Sequence, residues 1–581
     1  MSIQPIDLLP QPSKKSKVYM HHHLSLRSKL IVMFSVMASL FLVALDQTII
    51  STALGKIVED FNAFSSLSWI VTAYLLTTTV TVPIAGKLSD LFGRKLLLLI
   101  GVSIFGLGSL LSGMSGSIEQ LIWARAFQGI GGGIITANAF TIVGDLFAAR
   151  ERGKWQGLIG AVFGISSVIG PLLGGWLTDK QNLFGLTTDW RWTFYINVPV
   201  AVVAFVLIYM FSPTLKHAKV PRVDYKGAAA LTVALATLVL AVDNTEMIFA
   251  DVMSATGMSL LMLRIAMAAV VTVSVVLFIY FENRAKEPIL PLRFFENRNF
   301  SLVMTIATLF GVGFMGSILY LTQFNQQVFG ATPTESGLML LPMIAGLMTA
   351  SIGSGQIISR TGRYKIFMQV GIILATVTVS LLSTLTPESS YIYEAVIMTF
   401  LGFGLGLVMP ILNLVVQSEF KQSDLGVATS SVQLFRGLGS TIGIAVFGSL
   451  LTSGLTAHLA DIQNNAYIKT LQSTQAARQI GDFDNPNTLL TLNTSDVKQK
   501  ITAGFDQRVN ALPEATANEL KKDFNKDQSA YESIITHAFS DSLRAIFITS
   551  GALMAAAAVL VFAIKERELA AASPSATPGE M

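Results

Sequence analysis

An apolar run of about 20 residues can cross a bilayer as a helix, and this chain holds about fourteen such runs. They fall near residues 30–54, 67–87, 95–115, 119–144, 156–177, 191–212, 227–243, 258–281, 301–323, 335–358, 365–386, 391–416, 428–453 and 540–563, the seventh being the shortest. Hydrocarbon offers no partner to a backbone N–H or C=O, so such runs must close their hydrogen bonds within helices. The sequence therefore predicts an all-α polytopic membrane protein. Its charged fraction agrees: 13% of 581 residues, against about a quarter in soluble domains. Cysteine is absent, which excludes disulfides, thiolate catalysis and Cys-ligated metal. If the N-terminus is inside, most Lys and Arg fall in inner segments such as "AARERGKW" and "KHAKVPRVDYKG". That asymmetry predicts an even number of spans and both termini in the cytoplasm, the chain lying in a cell (plasma or inner) membrane. Residues 1–29 lack the features of a secretory signal and read as a cytoplasmic tail, starting at Met1 or Met20. His21 to His23 are read as part of that tail rather than as a metal site.

The glycines carry a repeat. "GKLSDLFGRK" (86–95) pairs with "GQIISRTGRYK" (355–365), and "GIGGG" (129–133) with "GFGLG" (402–406). Gly164, Gly170 and Gly175 have the spacing of Gly437, Gly443 and Gly448. Two homologous six-helix halves explain offsets of 269 to 273 residues between these pairs, with spans 7 and 8 inserted between the halves and outside the core contacts. The expected organisation is a tail (1–29), an N-terminal half (30–212), inserted helices 7 and 8 with linkers (213–290), helices 9–13 (291–453), a long outer loop (454–539), helix 14 (540–564) and a cytoplasmic tail (565–581). The outer loop reads as a small helical cap or polar chain, with a glycosylation sequon at Asn493. Parallel repeats of this kind mark transporters whose site lies between the halves. The halves differ in charge: Asp90 matches Ser359, Arg125 matches Met398 and Pro171 matches Ile444. Charge used inside the membrane is therefore expected in the N-terminal half.

Several stretches carry chemistry. Asp46 lies beyond the midpoint of span 1, where a buried carboxylate can serve as a proton relay; the alternative is a helix-end acid exposed to outer water. Arg125 sits about a turn inside span 4 with Gln128 on the same face, which favours an inward polar cluster over snorkelling to headgroups. Asp90 and Arg94 stand at i, i+4, close enough to pair, and Gly86 and Gly93 permit close helix contact and a tight turn. Gly164, Gly170, Gly174 and Gly175 with Pro171 give span 5 a smooth, kinked face for close packing. Gln323, Asn325 and Arg436 are further candidates for substrate contact, whereas Asp243, Glu246, Glu335 and Glu394 read as solvated helix-end acids.

In order along the chain, "LDQTIISTAL", "GKLSDLFGRK", "RAFQGIGGG", "GISSVIGPLLGGW" and "DWRWTFYINVP" resemble the motifs of the major facilitator superfamily, in particular its 14-helix drug:proton antiporters. The resemblance covers about residues 28–565. It implies a major facilitator fold, two six-helix halves plus two inserted helices. It also implies proton coupling at Asp46 and Arg125, and a conformational latch of Gly86, Asp90, Gly93 and Arg94 with Asp145. Gly164, Gly170, Pro171, Gly174 and Gly175 would form an antiporter hinge. The candidates for substrate contact, Asp46, Gln128, Gln323, Asn325 and Arg436, are read from their own positions in the spans. The implied function is multidrug efflux by drug:proton antiport; a single-metabolite exporter or an uptake symporter of the same fold is the alternative. The expected partners are small amphipathic or cationic molecules, protons and lipid, not nucleic acid, and the chain is expected to act as a monomer. No cofactor is implied beyond the proton gradient, and no metal site. The Gly-Lys pairs at Gly55, Gly86 and Gly153 are followed by Ile, Leu and Trp, so no phosphate loop supports an ATP-driven pump or an enzyme.

Overall fold

The computed structural model describes residues 25–569 apart from 62–66, 179–181, 184, 213–222, 243–244, 460–461, 473–482, 484–485 and 511–512. His21 to His23, Asp243 and the side chain of Glu246 lie outside the described residues.

Among the described residues, fourteen helices are long and apolar enough to span a membrane. They are α1 (Leu26–Phe61), α2 (Leu67–Phe92), α3 (Arg94–Gly113), α4 (Ile118–Leu146), α5 (Ala149–Thr178), α6 (Trp192–Phe211), α7 (Tyr225–Val242), α8 (Leu260–Arg284), α9 (Arg298–Gln327), α10 (Leu341–Thr361), α11 (Lys365–Leu382), α12 (Tyr391–Glu419), α13 (Leu425–His458) and α14 (Glu514–Phe562). Serines and threonines within them return their hydroxyls to carbonyls of the preceding turn, as Ser35 does to Ile31 at 2.7 Å and Thr141 to Ala137 at 2.8 Å. That keeps these polar groups satisfied where no water is available. Ser117 and Ser390 cap the starts of α4 and α12.

The repeat is visible in the packing. Within the N-terminal half α1 packs on α5, and α4 on both α2 and α3; within the C-terminal half α9 packs on α13, and α12 on both α10 and α11. Across the halves α2 meets α13 and α5 meets α10. Gly93 and Gly362, the glycines of the two Gly-Arg pairs, both adopt left-handed backbone, φ 96° and 73°. Each lets the chain turn sharply between two helices where a side chain would be strained. α4 and α12 are central and mostly buried, whereas α6, α8 and α11 present large apolar side chains outward, a lipid-facing surface.

The inserted pair differs from expectation in one respect. α7 and α8 pack on each other, but α7 also lies against α2 and touches α13, so it is not outside the core contacts. Lys87, between Gly86 and Asp90 on α2, pairs with Glu287 just beyond α8 at 2.8 Å.

Between α13 and α14 the chain is helical at Ala466–Gln472, Pro486–Leu492 and Ser495–Val509. α14 begins far ahead of its apolar run, at Glu514, and its polar first half packs with these helices. Phe505 stacks on Phe524 with centroids 4.0 Å apart, and Tyr467 lies 5.1 Å from Tyr531. Asn493 is buried and donates to the Gln327 carbonyl at 3.0 Å, so its sequon is not presented to the surface.

Candidate functional site

Six side chains from five helices build a polar cluster inside the N-terminal half. Asp46 of α1 is fully buried. Its Oδ2 accepts from Arg125 Nη1 of α4 at 2.6 Å. Its Oδ1 accepts from Gln128 Nε2 at 2.8 Å and from Asn197 Nδ2 of α6 at 3.1 Å. Ser109 Oγ of α3 accepts from the same two amides, at 2.8 and 3.0 Å. Gln128 Oε1 in turn accepts from Arg125 Nη1 at 2.8 Å. The guanidinium lies over the ring of Tyr74 of α2, 4.3 Å from its centroid, and Arg125 Nε reaches the Ile70 carbonyl at 3.4 Å. The local reasons are geometric. Arg125 and Gln128 are three apart and share a face of α4. Gly108 of α3 lies directly against the Gln128 backbone, so α3 and α4 come close enough for Ser109 to reach it.

A buried ion pair is expensive to form and still more expensive to break, because removing one partner strands the other charge at a cost of about 3–5 kcal/mol. Here the carboxylate has three donors and the guanidinium has an acid, an amide oxygen and a ring face. The two partners therefore depend on each other, and any change that takes one of them away strands the other. The helix-end alternative, with Asp46 in outer water, does not fit its complete burial.

The second group lies at the other end of α4, about 30 Å away by the 1.5 Å rise per residue from Arg125 to Asp145. Arg94, buried, pairs with Asp90 and donates to Ser89 Oγ; its Nε donates to Asp145 Oδ2 at 2.8 Å. Asp90 then crosses to the C-terminal half. Its Oδ1 accepts from the Gly426 amide at 3.1 Å and its Oδ2 from the Val427 amide at 3.0 Å. These are unsatisfied amides of the first turn of α13, where the helix dipole also favours a carboxylate. Gly86 lies so close to Gly426 and Ser430 that a Cβ there would collide with both. Arg152 adds a second crossing, with Nη1 donating to the Gln417 carbonyl at 3.1 Å and Nη2 to the Gly144 carbonyl at 2.8 Å. The halves are thus clamped at this end.

The α5 glycines divide between two partners. Gly157 and Gly164 face α10 of the other half, against Ser351 and against Ile344 and Met348. Gly170 and Gly174 face α1, against Thr48 and Ile49, and against Ile49 and Thr52. Pro171 touches Gly337 in the segment before α10, and Gly175 is half-buried, its carbonyl accepting from Thr178. Beside Gly164, toward the end away from the clamp, the α5–α10 seam holds an apolar cleft of about 280 Å³ lined by Ile165, Ile169, Leu341 and Met348.

The remaining candidates do not join these clusters. Arg436 donates to Gln433 at 2.6 Å, which donates to Asn413 at 3.1 Å. Gln323 is half-buried on α9. Asn325 pairs with Glu394, and here a sequence expectation is overturned: Glu394 is not solvated but fully buried. It sits in the first turn of α12 and is covered by tertiary packing that no local pattern announces. Glu335 is exposed and closes a capping box with Thr332, as a solvated acid should. Asn197, Ser109 and Tyr74 complete the cluster without being marked as candidates by the sequence. Asn197 lies in the motif at span 6, a polar residue opening an apolar run, which was an available signal; Ser109 gave none, because serine is common in membrane helices.

The C-terminal half has its own closure at the clamped end, made by a strap that follows α14. Arg567 pairs with the buried Glu419 at 3.0 Å, Glu566 accepts from the Tyr364 amide at 2.9 Å, and Asn299 binds both Glu419 and the Lys565 backbone. Arg150 of α5 then donates to the Leu569 carbonyl at 2.7 Å, tying the strap to the N-terminal half.

Two helical halves clamped at one end, with a buried ion pair in one of them and a seam between them, define a membrane transporter. The chain matches the Major Facilitator Superfamily over residues 36–444 and belongs to that family. It is 35% identical over 542 residues to the multidrug transporter protein MdtP of Bacillus subtilis (strain 168), covering 91% of this chain and 92% of that protein. It is 34% identical over 452 residues to multidrug resistance protein 3 of the same organism, covering 78% and 85%. It is 31% identical over 476 residues to efflux pump FUS6 of Gibberella fujikuroi, covering 80% of each. In fold it is similar to the human organic anion transporter MFSD10, with TM-score 0.54 and 17% identity over 73% of this chain and 93% of that one.

Proposed function

We propose that this chain is a proton-driven exporter of small amphipathic or cationic molecules, exchanging substrate for protons by alternating access. The observation that carries the reading is the buried Asp46–Arg125 pair, with Gln128, Asn197 and Ser109 around it. The names of the multidrug and efflux relatives support the substrate class. The apolar cleft at the α5–α10 seam suits a greasy substrate.

In this reading the clamped end is cytoplasmic and the opposite end faces out. A proton from the more acidic outside reaches Asp46 when the cluster loosens. The neutral carboxyl no longer balances Arg125, and the cost of the stranded cation favours a rearrangement that gives it new partners or water. That rearrangement is the switch: the clamp of Asp90, Arg94 and Asp145 on α13 releases, the cytoplasmic side opens, the proton leaves and substrate enters. Substrate and proton then weaken each other's binding by one common factor, as linkage requires. Gly157 and Gly164 allow α5 and α10 to slide or part as one surface.

The test is transport by the full chain in lipid vesicles, with ethidium as the cationic probe and an imposed pH gradient. The reading predicts movement of ethidium against its own gradient, opposite to the proton flow, that stops when a protonophore is added. Ethidium flux that ignores the pH gradient, or that runs in the same direction as the protons, would reject antiport.

A further inference from the structure

The second half holds a buried acid that the cluster and the clamp do not use. Glu394 of α12 is fully buried, and so is Asn325 of α9 beside it. The Asn325 amide lies against both carboxylate oxygens: turned one way, its nitrogen donates to them at 2.8 and 3.0 Å. Turned the other way, its oxygen faces them and can accept from a carboxyl proton, because an amide is both donor and acceptor. No salt bridge among the described residues engages Glu394. The other fully buried acids among the described residues are otherwise provided for: Asp46, Asp90 and Asp145 by arginines, and Glu282 by the amides of Ile289 and Leu290.

Other ionisable groups around it are few. Tyr391, a turn earlier on α12, interacts with it and donates its hydroxyl to the Met339 carbonyl at 3.0 Å. Farther out, Glu388 pairs with His537 of α14 at 2.9 Å, and Glu335 is fixed on Thr332; all three are exposed. A carboxylate buried without a cation is costly, and such a group avoids the cost by holding a proton. Its position also gives a short route for that proton. Glu394 lies one turn inside α12 from Ser390 and Tyr391, which are exposed at the end away from the clamp.

We propose that Glu394, with Asn325 as its two-way amide partner, is a second proton-exchange site, placed in the C-terminal half near the end opposite the clamp. This deepens the proton-coupled reading above and rests on it for its use in transport. The step is a simple protonation. Water at the far end delivers a proton to one Glu394 oxygen, the neutral carboxyl donates it to Asn325 Oδ1, and the amide turns over when the proton leaves. The site can therefore be satisfied in both states without moving a helix. The Asp46 cluster cannot, since there a proton strands an arginine. The two acids would thus divide the work, Asp46 driving the switch and Glu394 loading a further proton.

The experiment uses the unmodified full chain in detergent, treated with dicyclohexylcarbodiimide, which attacks protonated carboxyls in apolar surroundings, and read by peptide mass spectrometry. The proposal predicts an adduct at Glu394 whose yield is high at acid pH and falls by at least tenfold toward alkaline pH. No adduct at acid pH, or a yield that does not change with pH, would overturn it. In vesicles, Glu394→Gln, which keeps an amide partner for Asn325, is expected to move ethidium with fewer protons per molecule than the unmodified chain; an unchanged ratio would overturn the proposal. Failure of the Asp46 reading gives a different result, because Asp46→Asn would then keep uphill transport while the Glu394 adduct still titrated.

Discussion

The two halves share a helix plan and differ in what they bury. In the first, Arg125 and Arg94 are each sealed with acids, one pair deep in the bundle and one at the interface. In the second, the matching positions are Met398 and the exposed Arg363, and the closure is supplied by a strap after α14 whose Arg567 is more than half exposed. The halves therefore hold together by interactions of different strength. A charge pair removed from water punishes any change in either partner, whereas a pair whose arginine stands in water is screened and contributes less, about 0–1 kcal/mol. A duplicated fold can concentrate a switch in one copy and let the other copy serve as the body against which it moves.

That contrast can be broken at its strongest point first. Asp46→Asn is expected to lower stability in detergent by about 3–5 kcal/mol, because Arg125 is left unbalanced, and to abolish uphill efflux. Removing both charges, Asp46→Asn with Arg125→Gln, is expected to recover most of that stability without recovering uphill efflux; thermal unfolding of the single and double variants measures the coupling. A double variant as unstable as the sum of the singles would mean that the pair is not coupled.

Next comes the clamp. Asp90→Ala takes two acceptors from the first turn of α13 and leaves Arg94 with one acid, Asp145, beside the Ser89 hydroxyl. Ethidium efflux is expected to fall about tenfold or more, equivalent to about 1.4 kcal/mol lost from the closed state. Gly86→Val should do the same by steric means, since even a Cβ there meets Ser430 and Gly426. The strap should matter less: Asn297 and Asn299 still donate to Glu419 once its arginine is gone, at 2.9 and 2.7 Å, so Arg567→Ala is expected to cost about 1 kcal/mol and to leave efflux within a few-fold. Smallest of all is an attempt to restore the lost symmetry. Ser359 Oγ donates to the Gln356 carbonyl of its own helix at 2.7 Å, so Ser359→Asp is expected to change stability by no more than about 0.5 kcal/mol and to create no second clamp. A large loss on cutting the strap, or a gain from Ser359→Asp, would show that the halves are more equal than their buried charges suggest.

Much of this was legible in the sequence. The spans followed from length and hydropathy, and the repeat followed from glycines whose spacing survives because backbone approach and left-handed turns require them. Asp46 and Arg125 were legible because charge inside an apolar run is rarely idle, and Gln128 because it shares a helix face with Arg125. What was not legible was what those side chains would meet. Asp90 binds backbone amides 336 and 337 residues further along, and an amide carries no residue signature. Ser109 sits in an ordinary apolar run. Glu394 looked like a helix-end acid beside serines and tyrosines; its burial comes from α9 and the surrounding helices, not from its neighbours in sequence. The strap, "KEREL", reads as a solvated tail and becomes structural only because Glu419, Tyr364, Asn299 and Arg150 receive it.

The central claim is that the buried charge of the first half couples proton flow to export. The measurement that bears on it most directly is uphill ethidium transport by the Asp46→Asn, Arg125→Gln double variant in vesicles under an imposed pH gradient, because this chain keeps a neutral, balanced core. The account predicts a folded protein that still lets ethidium exchange down its gradient and does not accumulate it when the pH gradient is applied. Gradient-driven accumulation at the rate of the unmodified chain would contradict it.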